Sequence, residues 1–176
     1  AFIETLNEHQ RAGRIGLFGV SNWNLTRVEA GNAYAREHGL NGFAAVSNQF
    51  SLARLVKPPW PGVVSPSDHK SRAWILRSGL PLLPWSSQAG GFFAIPNPAS
   101  RASRDLVRGW SSEDNFQRLE RAKQLAARRG VAPIQIALAY VLNQPFPCFP
   151  IIGPLRQAEL RASCEAVLIR LSPGEL

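Results

Sequence analysis

Apolar residues along this chain come in two forms that alternate: short unbroken runs, and longer stretches in which they recur at helical spacing. Residues 2–12 have helical composition and stop at Gly13. Ile15-Gly16-Leu17-Phe18-Gly19-Val20 is then an unbroken run of the kind that forms a buried parallel strand, and it ends at Ser21-Asn22-Trp23-Asn24. The pattern repeats: a helix over 25–38 closed by Gly39, and a second run, Phe43-Ala44-Ala45-Val46-Ser47, ending at Asn48-Gln49. A proline-rich connection around Pro58-Pro59-Trp60-Pro61-Gly62 leads to a helix over 67–77 and a third run, Leu80-Pro81-Leu82-Leu83-Pro84-Trp85. Residues 88–110 read as loop, broken by Gly90-Gly91 and Pro96-Asn97-Pro98.

Two clear helices follow. Ser112 caps the first, whose apolar stripe is Phe116, Leu119, Ala122 and Leu125; Pro133 opens the second, with Ile134, Ala137, Leu138, Val141 and Leu142 on its apolar face. A fourth run, Phe149-Pro150-Ile151-Ile152, passes through Gly153-Pro154 into a last helix over 155–166. Short apolar strands alternating with helices predict an α/β fold with a parallel sheet. A doubly wound sheet and a (β/α)8 barrel both fit, and either concentrates function in the loops after the strands. Those loops carry Ser21-Asn22, Asn48-Gln49, Trp85-Ser86-Ser87 and Gly153-Pro154.

Composition narrows the function. No stretch has the length of apolar sequence that a membrane helix needs, and the beginning lacks the layout of a signal peptide, which predicts a soluble, cytoplasmic protein with no membrane partner. The net charge of +8 raises the question of nucleic acid, but the arginines are dispersed along amphipathic helices without aromatic interleaving, so solvated helix faces are expected. Cys148 and Cys164 are too few for a disulfide framework, and His9, His38 and His69 lack metal-ligand spacing. Methionine is absent; residues 1–3 read as the inside of a helix, and Leu171-Ser172-Pro173-Gly174-Glu175-Leu176 reads as the start of one. A piece of a longer chain is the expectation.

Gly13, Gly16 and Gly19 do not make a dinucleotide fingerprint, because two of them lie within the run rather than after it, where close packing is the better reason for a glycine. The four strand ends say more. Ser21, Asn22 and Gln49 can pair with a planar carboxamide, Trp85 can stack on a flat ring, and Gly153 before a helix start with Arg156 suits a phosphate. The same residues could instead merely cap helices and turns.

Gly13-Arg14-Ile15-Gly16-Leu17-Phe18-Gly19-Val20-Ser21-Asn22-Trp23 resembles the aldo-keto reductase signature; Asn48-Gln49, Pro84-Trp85-Ser86-Ser87 and Pro150-Ile151-Ile152-Gly153-Pro154 resemble the ends of the family's sixth, seventh and eighth strands, in the correct order. The resemblance implies a TIM barrel of which residues 1–176 supply the C-terminal half, strands five to eight, within a single domain. It implies that Ser21, Asn22 and Gln49 hold the nicotinamide carboxamide, Trp85 stacks on the nicotinamide, Ser86 lies near the pyrophosphate, and the segment from Gly153 to Ser163, with Arg156, meets the adenosine end and any 2′-phosphate. The expected cofactor is NADP, with NADPH preferred over NADH, and the partner is a small carbonyl compound. Leu155-Arg156-Gln157 departs from the family's usual sequence after the glycine, and the insert around 58–68 is expected to line the substrate pocket. In the family a tyrosine, assisted by lysine, aspartate and usually histidine, donates the proton that reduction of a carbonyl needs, and all four lie in the other half. Tyr34 and Tyr140 fall in helices, and Lys57, Lys70 and Lys123 are away from the strand ends, so no residue of this chain is assigned a catalytic role. Two alternatives remain open: a non-catalytic nucleotide-binding or regulatory module, and a different α/β enzyme.

Overall fold

The computed structural model of the protein describes residues 2–95 and 108–176. Six α-helices lie in the described residues: α1 (Phe2–Arg11), α2 (Leu25–Glu37), α3 (His69–Ser78), α4 (Glu113–Arg129), α5 (Pro133–Leu142) and α6 (Gln157–Glu165). Their ends follow from local chemistry. Asn24, Asp68 and Ser112 each accept a hydrogen bond from an amide of the first turn, and Gly79 and Gly130 close α3 and α4 in the left-handed conformation, which strains a residue that carries a Cβ. No single described helix is long and apolar enough to cross a membrane.

The strands are shorter than the apolar runs. Among the described residues only β1 (Val20–Ser21) and β2 (Val46–Ser47) are continuous, paired parallel with Val20 opposite Val46. The third and fourth runs join through single parallel bridges, Val46 with Leu82, Gln49 with Trp85, and Leu82 with Cys148. Further bonds extend the pairing, from Phe149 N–H to Leu82 O at 2.8 Å and from Ile151 N–H to Pro84 O at 2.9 Å. Proline at 81, 84 and 147 removes donors a longer ladder would need. Spatial order therefore equals chain order, all strands parallel. A doubly wound sheet reverses its order at a switch point, and no reversal occurs among the described residues.

Two apolar clusters hold these layers. One packs Val28, Phe43, Val46, Phe50, Ile75 and Leu82 between the sheet and the first three helices. The other packs Phe92 and Phe93, from a 3₁₀ turn over Ala89–Ala94, against Leu119 of α4 and Leu138 of α5. Helix α5 is buried almost all round, Gln135 and Ile136 included, which is broader than the single stripe its sequence predicts. The parts of the loop at 96–107, including Pro96-Asn97-Pro98, lie outside the described residues.

Candidate active site

Parallel pairing places the ends of all four strand positions at one edge of the sheet. With neighbouring strands about 4.8 Å apart, those ends span roughly 15 Å. Asn22, Gln49, Trp85 and Gly153 all lie on this rim.

The first two ends are tied together by the chain itself. Asn48, fully buried, accepts a hydrogen bond from the Asn22 amide at 2.7 Å and donates to Trp23 O at 3.0 Å. This holds Asn22 at φ 56°, a left-handed conformation that asparagine tolerates better than most residues. Ser21 Oγ donates to Ser47 O at 2.7 Å, and the Asn22 side-chain oxygen accepts from Val64 N–H at 3.3 Å. Gln49, also fully buried, donates to Ser51 Oγ at 3.0 Å and accepts from Ser65 Oγ at 2.5 Å. Its carboxamide thus retains one N–H and one lone pair.

The other two ends open onto two adjoining cavities. One, of about 380 Å³, is walled by Trp85, Ser86, Lys57, Pro58 and Arg108. The second, of about 870 Å³, is walled by Ser86, Ser87, Ile152, Gly153, Glu159 and Ser163 among others. Ser86 and Gly90 line both cavities, which therefore stand side by side. Ser86 takes φ 48°, which turns the chain out of the third strand. Ser87 Oγ donates to Ile151 O at 2.7 Å, clamping the third strand end to the fourth. Ser163, buried, donates to Glu159 O at 2.8 Å and lies 3.4 Å from the Gln88 side-chain nitrogen, which donates to it.

Of the residues singled out from sequence, the structure gathers Trp85, Ser86, Gly153 and Ser163 around this double cavity. Ser21, Asn22 and Gln49 share the rim but line neither cavity, although the Gln49 backbone bridges to Trp85. Arg156 is exposed, precedes the first turn of α6, and is not part of the wall. Glu159 reaches back instead to the amides of Leu155 and Arg156, at 2.8 and 3.3 Å.

Several neighbours carry signals that sequence reading passed over. The insert does enter the site: Pro58 and Pro59 wall the smaller cavity, and Trp60 stacks on Trp85, ring centroids 5.3 Å apart and planes 21° off parallel. Lys57 faces the same cavity as Trp85, contrary to its expected remoteness from the strand ends. Adjacency to the insert was its one available signal. The Trp85 indole N–H is buried with no hydrogen-bond partner, a donor that a bound molecule could satisfy. Burial pushes the Cys148 thiol up to about 12, so it stays protonated and unreactive near neutral pH. The two tyrosines lie away from the rim: Tyr34 donates to Glu4, and Tyr140 stacks on Phe50.

A strand order without reversal among the described residues, with cavities at the carboxyl ends of the third and fourth strands, is the arrangement of a parallel α/β protein with a candidate ligand site there. The profile of the Aldo/keto reductase family matches residues 1–176, and the chain belongs to that family. It is 24% identical to versiconal hemiacetal acetate reductase of Aspergillus parasiticus, over 99% of this chain and 50% of that protein. It is 27% identical to protein tas of Escherichia coli strain K12 (99% and 49%), and 26% identical to norsolorinic acid reductase stcV of Emericella nidulans (99% and 42%). Among solved structures it resembles a thermostable aldo-keto reductase crystallised with the inhibitor epalrestat, with a TM-score of 0.66 and 20% identity over 98% of this chain and 50% of that one. The chain spans about half the length of the curated relatives it matches.

Proposed function

We propose that this chain is the cofactor-holding, C-terminal half of an aldo-keto reductase barrel, strands five to eight, and that the whole protein reduces an aldehyde or ketone to an alcohol with NADPH in preference to NADH. The observation that carries the reading is the double cavity at the third and fourth strand ends, its two parts side by side at Ser86 and walled by Trp85, Gly153 and Ser163. Coverage of about half of each relative, and the reductase names of two of them, support the rest.

The residues present fit a nicotinamide dinucleotide. Trp85 already supports one stacked ring, and its unpartnered N–H awaits an acceptor. A nicotinamide would take the place of Trp60 or use the opposite face. Asn22 and Gln49 would orient the carboxamide with the donor and acceptor capacity left after their internal bonds, Ser21 beside them. Ser86 would meet the pyrophosphate, and the wall from Gly153 to Ser163 the adenosine, with Arg156 within reach of a 2′-phosphate from the rim. When bound, the cofactor supplies the reducing equivalents. What these residues do is bind it, fix its ring and keep water from the ring's covered face. The proton for the product alcohol comes from outside this chain, because both tyrosines are committed within helices. The chain alone is then inactive. A cytoplasmic setting, a small carbonyl partner, and no nucleic acid or membrane belong to the same proposal.

Titration of the chain with NADPH and NADH, followed by tryptophan fluorescence, tests this reading. Saturable quenching is expected with both, tighter for NADPH, and Trp85→Ala should remove most of it. No quenching by either dinucleotide at millimolar concentration would overturn it. Turnover of a simple aldehyde by the chain alone would refute the division of labour. Binding without turnover in the whole protein would favour a nucleotide-binding module.

A further inference from the structure

Four arginines from three separate parts of the sequence converge on a separate cavity. Arg54, Arg72, Arg118 and Arg121 wall a space of about 370 Å³ together with Ser51, Ser67 and Tyr140. Fully buried Asn115 ties two of them together: its side-chain oxygen accepts from the Arg54 backbone N–H at 2.9 Å and from Arg118 Nη1 at 3.1 Å, and its side-chain amide donates to the Arg54 backbone O at 2.7 Å. From the other side, Arg72 Nη1 lies 3.4 Å from the Tyr140 hydroxyl. Among the described residues none of the four is ion-paired. Glu175 also lines the space, but its oxygens are taken by Arg129 and Ser172. Asp114, one turn before Arg118 on α4, is the carboxylate that acts on its guanidinium.

Like charges brought together repel, and here four guanidinium groups face one unengaged carboxylate among the described residues, Asp114, while Arg118 is partly desolvated. The Arg118 guanidinium is held below its ordinary value, first by burial and then by the charge of Arg54, with Arg121 adding to it and Asp114 opposing. An anion would relieve both costs. We infer that the cavity between α3, α4 and the loop after β2 is a binding site for a compact polyanion, whose phosphoryl or clustered carboxylate oxygens the guanidinium forks would grip in pairs. Planar forks suit such oxygens better than a single halide. The site is distinct from the double cavity: no residue lines both. It is connected to the rim all the same, since Ser51 and Ser67 end a hydrogen-bonded chain through Ser65 and Gln49.

Isothermal titration of the chain with pyrophosphate and with citrate, against sodium chloride at matched ionic strength, tests the inference. Saturable binding of at least one polyanion is expected, and whichever binds tighter identifies the phosphoryl or the carboxylate source. Arg54→Gln and Arg121→Gln remove exposed side chains that bond nothing among the described residues, and each should weaken binding about tenfold, the loss expected for one charge-assisted contact, without changing the melting temperature. Arg121→Lys should recover only part of the loss, because it restores charge but not the fork. Binding no stronger than the salt control, or both glutamine variants within twofold of the parent, would overturn the proposal. Should one variant melt early, the other decides.

Discussion

At the scale of single residues, position 19 shows how a backbone contact selects an amino acid. A Cβ on Gly19 would sit 2.5 Å from Ala45 O, just before β2, whereas one on Gly16 would meet nothing within 4 Å. Both glycines look alike in sequence, interior to one apolar run, and only the fold separates them. Gly19→Ala should therefore cost about 1–3 kcal/mol of unfolding free energy, the usual range for forcing an extra methyl into a packed region. Gly16→Ala should be close to neutral. Urea denaturation of the two variants compares them, and equal effects would contradict the packing argument. The same scale explains Asn48. Its type and neighbour were visible in Asn48-Gln49, but its work is to lock β1 to β2, a role read only from its partners.

Elements tell a second story. Helix limits were legible to within a residue or two because caps and closing glycines are local chemistry: Asn24, Asp68, Ser112, Gly79 and Gly130 act on neighbours three or four positions away. Strand limits were not, because a strand exists only where another offers partners, and the prolines at 81, 84 and 147 cut the pairing to isolated bridges. Helix α4 also depends on a distant partner. Its last residue, Arg129, grips Glu175, whose carboxyl is held down to about 2, from an ordinary 4.5, first by the Ser172 amide and then by Arg129. A carboxyl whose folded value lies below its unfolded one adds stability above the unfolded value and loses it as pH falls toward the folded one. Glu175→Gln should thus lower the melting temperature at pH 6, with the gap narrowing below pH 4.5 and closing near pH 2. A gap of constant size across that range would show that the carboxylate charge is not the cause.

For the whole molecule, the sheet among the described residues has two outer edges, β1 and residues 148–151, and apolar side chains stand exposed beside both. Leu17 is 77% exposed, Phe149 61% and Ile151 48%. Unpaired edges with apolar neighbours favour pairing with another chain. Sedimentation of the chain should show concentration-dependent self-association, weakened by Phe149→Lys with Ile151→Lys. A monomer at every concentration would contradict this. The four-arginine cavity belongs to this scale as well. Dispersed along the sequence, Arg54, Arg72, Arg118 and Arg121 look like solvated helix faces, and packing of α3 and α4 against the loop after β2 brings them together.

By itself the sequence determined the helices, the four strand-end motifs in their order, and membership of one family, because these depend on residue types at fixed short spacings. It left open whether the sheet was wound one way or two, which strand-end residues share a cavity, and where the charges collect. Tertiary structure alone decided those points, since each is a distance between residues that the chain separates by twenty to more than sixty positions.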